Sequence, residues 1–150
     1  MNLLNKNDFW QFACALYAKP GQQQTLLALQ NQQGKNVNLC LLLLYLDSLK
    51  LSINAEQLST LIASISEFDT QVLKPLRAAR RYLKANQESI SDYEKIRQEL
   101  LNAELKLEKQ QQQILIDTAN KFTFILTAKP ENFNLYKKSS YLNQLYCFKL

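Results

Sequence analysis

From Val37 to Leu46 the chain reads Val-Asn-Leu-Cys-Leu-Leu-Leu-Leu-Tyr-Leu, with no charged side chain. A helix of that composition is apolar around its whole circumference and has to be wrapped by other elements. Crossing a bilayer takes roughly 20 apolar residues, and this run stops at Asp47, Ser48 and Lys50. The pattern therefore predicts a buried central helix over about 36–50. Leucine outweighs the β-branched residues that strands favour, and Gly34, Asn36 and Asn38 suit a helix start, which sets helix ahead of a buried strand.

Amphipathic stretches surround this run. Asn7 or Asp8 can cap a helix to Ala18, with Phe9, Phe12, Ala13 and Leu16 on its apolar face and Trp10 and Tyr17 flanking it. Lys19-Pro20-Gly21 breaks that helix. Leu26, Leu27 and Leu29 carry a second one, with Gly34 placed for a left-handed stop. Asn54 and Gln57 form a capping-box pattern ahead of the stripe Leu58, Leu61, Ile62, Ile65 and Phe68. A further helix is expected from Asp69 to Asn86 with Val72, Leu76, Ala79 and Leu83 inward, and with Pro75 either in its first turn or at a kink. Ser91 and Glu94 form a second capping box, opening a long helix over about 91–121. Tyr93, Ile96, Leu100, Ala103 and Leu107 repeat along it like an a/d seam. A helix of that length would be roughly 46 Å long, against a body roughly 38 Å across, so it either projects or breaks at the glutamines 110 to 113. The fold expected is all-α: a compact helical bundle in one domain, 1–128, with a tail, 129–150, that docks on the body.

Two glycines and three prolines in 150 residues leave too few turn residues for an all-β protein. Three scattered cysteines argue against a disulfide framework, and Cys14 and Cys40 are expected to be small core residues. The N-terminus has no signal-peptide pattern, so a cytoplasmic location without membrane association is expected. The chain has no histidine, which removes the commonest general base and metal ligand. Neither a phosphate loop nor a dinucleotide fingerprint fits two glycines thirteen positions apart. The carboxylate pairs Asp92/Glu94 and Glu104/Glu108 read as a solvated helix face rather than as an acid and base. No enzyme activity, cofactor or metal is expected.

Charge adds a candidate surface. Residues 1–68 carry four basic and four acidic side chains, so the whole net charge of +5 lies in residues 69–150. At 100° per residue Lys74, Arg77, Arg80, Arg81 and Lys84 fall within an arc of about 120°, a cationic helix face interrupted only by Leu73. Such a face suits an acidic protein surface or a phosphate backbone. The blander alternative is a solvated face neutralised by Glu88, Asp92 and Glu94. The leading expectation is a non-enzymatic adaptor that binds another protein through this face, with nucleic acid as the alternative partner. A homodimer through the long helix is a further option. A third reading is a small apolar-ligand pocket walled by Trp10, Tyr17 and Tyr45. The tail residues Phe133, Tyr136, Lys137, Lys138, Tyr141, Tyr146, Phe148 and Lys149 suit docking on the body better than base stacking.

The ordered pattern Phe9-Trp10, Phe12, Leu16-Tyr17, Pro20-Gly21, Leu29-Gln30, Gly34 and Val37-Asn38-Leu39, followed by Pro75-Leu76-Arg77 and Arg80, resembles a family of short bacterial proteins grouped as a domain of unknown function. The resemblance covers roughly the first 85 residues. It implies a cytosolic helical protein, carries no activity or cofactor, and leaves the tail outside the family pattern. It favours Arg77 and Arg80 as partner-surface residues, and Trp10, Tyr17 and Asn38 as structural anchors.

Overall fold

Asparagine side chains settle where three of the helices begin. In the computed structural model, which describes residues 4–138 of the chain, Asn5 caps α1 (Lys6–Ala18), its Oδ1 accepting from the N–H groups of Asn7 and Asp8. The cap thus lies two residues ahead of the expected Asn7. α1 ends before Pro20, and α2 (Gln22–Gln33) stops at Gly34, whose φ of +65° suits glycine. Asn36 caps α3 (Val37–Ser48) by accepting from Leu39 N–H at 2.9 Å. Asn54 and Gln57 form the expected reciprocal capping box at the start of α4 (Ala55–Phe68).

The fold is all-α, with one two-residue antiparallel ladder among the described residues that the hydrophobic pattern did not announce. In it β1 (Leu51–Ser52) pairs with β2 (Ile125–Leu126), Leu51 opposite Leu126. The predicted central helix is α3: Leu39, Leu42, Leu43 and Leu46 are wholly enclosed. Phe9 and Ala13 of α1, Leu26 and Leu29 of α2, Leu61 and Ile65 of α4, and the end of the long helix join them in the core. No helix among the described residues is long and apolar enough to cross a membrane.

Three expectations change beyond α4. The segment from Asp69 is not one regular helix: a π-helical turn (Asp69–Leu73) joins α4 to α5 (Lys74–Ala85), with Pro75 in the first turn of α5. Leu73 is fully buried and Ala79 exposed, so α5 turns a different side to the core from the one its small residues suggest. After a 3₁₀ turn (Gln87–Ser89), α6 (Tyr93–Ala119) is entered through Asp92 at φ +57°, without a side-chain cap. Ser91 lies one residue outside the cap position, and the second capping box does not form. α6 runs unbroken through the glutamines for 27 residues, roughly 40 Å.

After β2 the chain is helical over 132–138. Asn132 is buried: its Oδ1 accepts from Ile53 N–H at 3.0 Å, its Nδ2 donates to the Leu51 carbonyl at 2.6 Å, and its own N–H donates to Asp47 at 2.9 Å. Tyr136 is buried against the start of α3, its hydroxyl accepting from Asn36 N–H at 2.9 Å. The buried Lys35 ammonium donates to the carbonyls of Tyr136 and Lys137 at 2.7 and 2.9 Å and lies 4.7 Å from the Tyr136 ring centre. Burial lowers the Lys35 pKa and raises that of Tyr136. Tyr141, Tyr146, Cys147, Phe148 and Lys149 lie outside the described residues.

The two described cysteines part company. Cys40 is enclosed as expected, but Cys14 is exposed and lines an open surface concavity rather than the core. Burial pushes the Cys40 thiol up to about 12 from 9.0. A thiol protonated in the fold but ionising earlier in the unfolded chain contributes stability that is complete below pH 9 and lost as pH rises toward 12. Lys35, with its lowered pKa, acts in the opposite sense, so the Cys40 share is read as the difference between wild type and Cys40→Ala. That difference should shrink above pH 9, and a difference independent of pH would show that the thiol is not held neutral. At pH 8, iodoacetamide should modify Cys14 and spare Cys40 in the folded protein, as checked by peptide mass mapping.

Candidate functional site

α5 and α6 form an antiparallel hairpin whose facing sides are ionic. Arg77 Nη2 donates to Glu108 Oε1 at 3.1 Å, and Arg77 Nη1 lies 3.8 Å from Asp69 Oδ1. One turn on, Arg80 grips Glu104 with two bonds, Nε to Oε2 at 2.6 Å and Nη2 to Oε1 at 3.2 Å. Advancing by three residues on α5 while retreating by four on α6 keeps each pair on the shared face. Two of the five predicted binding cations are therefore spent inside the protein. Arg77 is 9% exposed, and its charge is met by Glu108 and Asp69. The reason lies in Leu73: its burial directs the side of α5 that also carries Arg77 and Arg80 toward α6. Glu104 and Glu108 are correspondingly not a solvated face, Glu104 being 6% exposed.

Lys74, Arg81 and Lys84 remain exposed. Lys74 has a loose, mostly exposed pairing with Asp69 at 3.8 Å, worth little in water. Arg81 and Lys84 have no ion pair among the described residues. All five predicted residues nevertheless border one open groove of about 1070 Å³ between the end of α2 and α5, which Lys35 also lines. Among the described residues Asp69 is the single acid in its wall.

A second concavity, of about 290 Å³, lies on the other side of the arginines. α1 supplies Trp10, Cys14 and Tyr17, α3 supplies Val37, Asn38 and Leu41, and α5 and α6 supply the two ion pairs and Gln112. Trp10 and Tyr17 stand where the ligand-pocket reading put them, but Tyr45 does not: it packs on Phe9 and Phe12, with ring centres 5.5 and 5.1 Å apart. Burial raises the Tyr17 pKa, Glu108 adding to the effect and Arg77 opposing it, so the phenol is neutral.

Beneath this pocket runs a chain of amides. Asn36 Oδ1 is held by Leu39 N–H, so its Nδ2 must donate, and it does so to Gln111 Oε1 at 3.0 Å and Asp69 Oδ1 at 3.2 Å. Gln111 Nε2 donates toward the same carboxylate oxygen at 3.4 Å, leaving Gln111 Oε1 to accept also from Asn38 Nδ2 at 2.9 Å. Asn38 Oδ1 in turn accepts from Gln112 Nε2 at 3.0 Å. A backbone donor at one anchor and a carboxylate acceptor at the other fix every amide orientation. The chain ends on Gln112 Oε1, which is buried and has no hydrogen-bond partner among the described residues.

Sequence reasoning passed over these glutamines. The available signal was spacing: stepping back from Leu115 and Ala119 by three and four reaches Gln111 or Gln112, then Glu108, then Glu104, so polar side chains continue an apolar stripe. Among the described residues no group of three His, Cys, Asp or Glu side chains could hold a metal ion.

A family model described as "Protein of unknown function (DUF2390)" matches residues 8–115. The chain belongs to the DUF2390 family. The matched span extends past the expected 85 residues and includes every residue that lines the 290 Å³ pocket. Residues 116–150, with β2 and the 132–138 helical stretch, lie beyond the DUF2390 match. No curated protein and no solved structure matches this DUF2390 chain.

Proposed function

We propose that this protein is a non-catalytic cytoplasmic binder of another protein, taking an acidic segment into the groove between α2 and α5 through Lys74, Arg81 and Lys84. The carrying observation is the charge balance of that wall: with Arg77 and Arg80 neutralised by Glu108 and Glu104, Lys35, Lys74, Arg81 and Lys84 stand against Asp69, the one acid among the described residues there, and three of the four are exposed. Arg77 and Arg80 shape the wall from within rather than contacting the partner. An acidic protein segment fits better than nucleic acid, because no aromatic ring among the described residues lines the groove and single strands are usually held by stacking. Self-association has less support, since the seam residues Tyr93, Ile96, Leu100, Ala103 and Leu107 are already half-buried.

A fluorescein-labelled decaglutamate peptide provides the test. Its anisotropy should rise with protein at low salt, fall off as salt screens the contacts, and weaken about tenfold in Lys74→Glu/Arg81→Glu/Lys84→Glu. These are surface positions, so circular dichroism should be unchanged. Equal binding by the charge-reversed variant, or tighter binding of an oligothymidylate than of the peptide, overturns the reading.

A further inference from the structure

We infer that the segment taken into the groove between α2 and α5 is an α-helix, with acidic side chains along the flank that meets α5 and small or apolar ones facing the floor. The inference rests on the acidic-segment reading above and adds the guest's conformation and register. Along α5, Lys74, Ala78, Arg81 and Lys84 line the groove at steps of four and three, the spacing that keeps side chains on one face of a helix. Along α2, Gln30 and Asn31 follow Leu27 by three and four. Each wall is thus the long face of a helix. Helices spend their backbone N–H and C=O groups internally except at the ends, so neither wall offers a strand edge to an extended peptide. A guest lying there takes its own backbone groups into the groove, and a helix takes them in already bonded.

Size and charge fit the same guest. From Lys74 to Lys84 the α5 wall rises roughly 15 Å, and a helix of that length and roughly 10 Å diameter fills on the order of 1200 Å³. The groove holds about 1070 Å³. Its two walls differ in charge: α5 presents the exposed Lys74, Arg81 and Lys84, whereas among the described residues α2 presents only Leu27 and the amides of Gln30 and Asn31. Acids therefore belong on one flank of the guest alone, with alanine or leucine against Leu27 and Ala78. The three cations stand at seven-residue and three-residue intervals along α5, and acids repeated at those intervals on a neighbouring helix of the same rise would lie beside them.

Two fluorescein-labelled peptides of fourteen residues and identical Ala/Gln/Glu composition provide the test. One carries glutamate at its second, fifth, ninth and twelfth positions, a single helical stripe that matches the cations in either direction along the groove. The other carries it at the second, fourth, eighth and tenth, spread around the helix. The striped peptide should bind the full chain about tenfold more tightly than the scattered one. Free peptides of this length are only marginally helical in water, so the circular dichroism of the striped mixture should show more helix than the sum of its parts. Lys74→Glu and Lys84→Glu, each at an exposed position, should each weaken the striped peptide. Each should be rescued by lysine in place of one end glutamate, the two rescuing positions lying ten apart, because a helix takes about ten residues to rise roughly 15 Å. An extended peptide covers that distance in about four or five. Equal affinity for the two peptides overturns the inference, as does binding without added helix, or rescue of both variants from positions only four or five apart. If decaglutamate still binds in those cases, and Lys74→Glu/Arg81→Glu/Lys84→Glu still weakens it, the acidic-segment reading stands without the helix. Failure of decaglutamate and both peptides to bind at low salt removes that reading and the inference with it.

Discussion

Arg77→Met should lower the stability of the fold by about 3 kcal/mol, the low end of the roughly 3–5 kcal/mol expected when one partner of a buried ion pair is removed. The low end applies because Glu108 is about one-third exposed and can recruit water. Asp69 is better protected, since the amides of Asn36 and Gln111 still donate to it after the arginine has gone. The deficit therefore concentrates on Glu108, and Arg77→Met/Glu108→Gln should recover much of the loss by removing the stranded charge. Urea unfolding followed by circular dichroism gives both numbers. A single variant within about 1 kcal/mol of wild type would mean that the pair behaves like an exposed one.

Asn132→Ala should cost a similar amount, about 3 kcal/mol, by a different route. The variant strands two backbone groups at once, the Ile53 N–H and the Leu51 carbonyl, and each buried unpaired group costs roughly 1–3 kcal/mol. Asn132→Asp separates the two: its carboxylate can still accept from Ile53 but cannot donate to Leu51, so it should be destabilising as well. Amide hydrogen exchange at Ile53 should rise in Asn132→Ala and rise less in Asn132→Asp. Unchanged protection at Ile53 in the alanine variant would show that the side chain is dispensable to β1.

Much of the architecture was legible because it rested on local rules. The charge-free run at Val37–Leu46 could only be a core element, and Gly34 and the Asn54/Gln57 box marked boundaries that side-chain and backbone chemistry impose within a few residues. The site was less legible, because what decides it is tertiary. A helical wheel ranks the sides of α5 by polarity and takes Arg77 and Arg80 for surface residues. Only the π-helical turn, which sets how α5 leaves α4, and the acids on α6 show that charge can face inward when charge waits there. Leu73, the one apolar residue inside the cationic arc, was the sign of it. The glutamines misled in the same way: an amide looks like a solvated side chain until Asn36, Asn38 and Asp69 arrive from other helices to bond it. The short β1–β2 ladder, joining residues more than seventy positions apart, left no periodicity to find.

The tie between Lys35 and residues 136 and 137 bears on the order in which a growing chain can mature. α3 is made early, yet the hydroxyl that meets the Asn36 N–H and the carbonyls that receive the Lys35 ammonium come from residues synthesised about a hundred positions later. While those residues are still inside the ribosome, the most apolar helix of the protein has its opening turn unfinished and a cation at its doorstep without a host. Consolidation of the centre therefore waits until residues 136 and 137 have left the ribosome, and a chain truncated before Tyr136 should lean on chaperones.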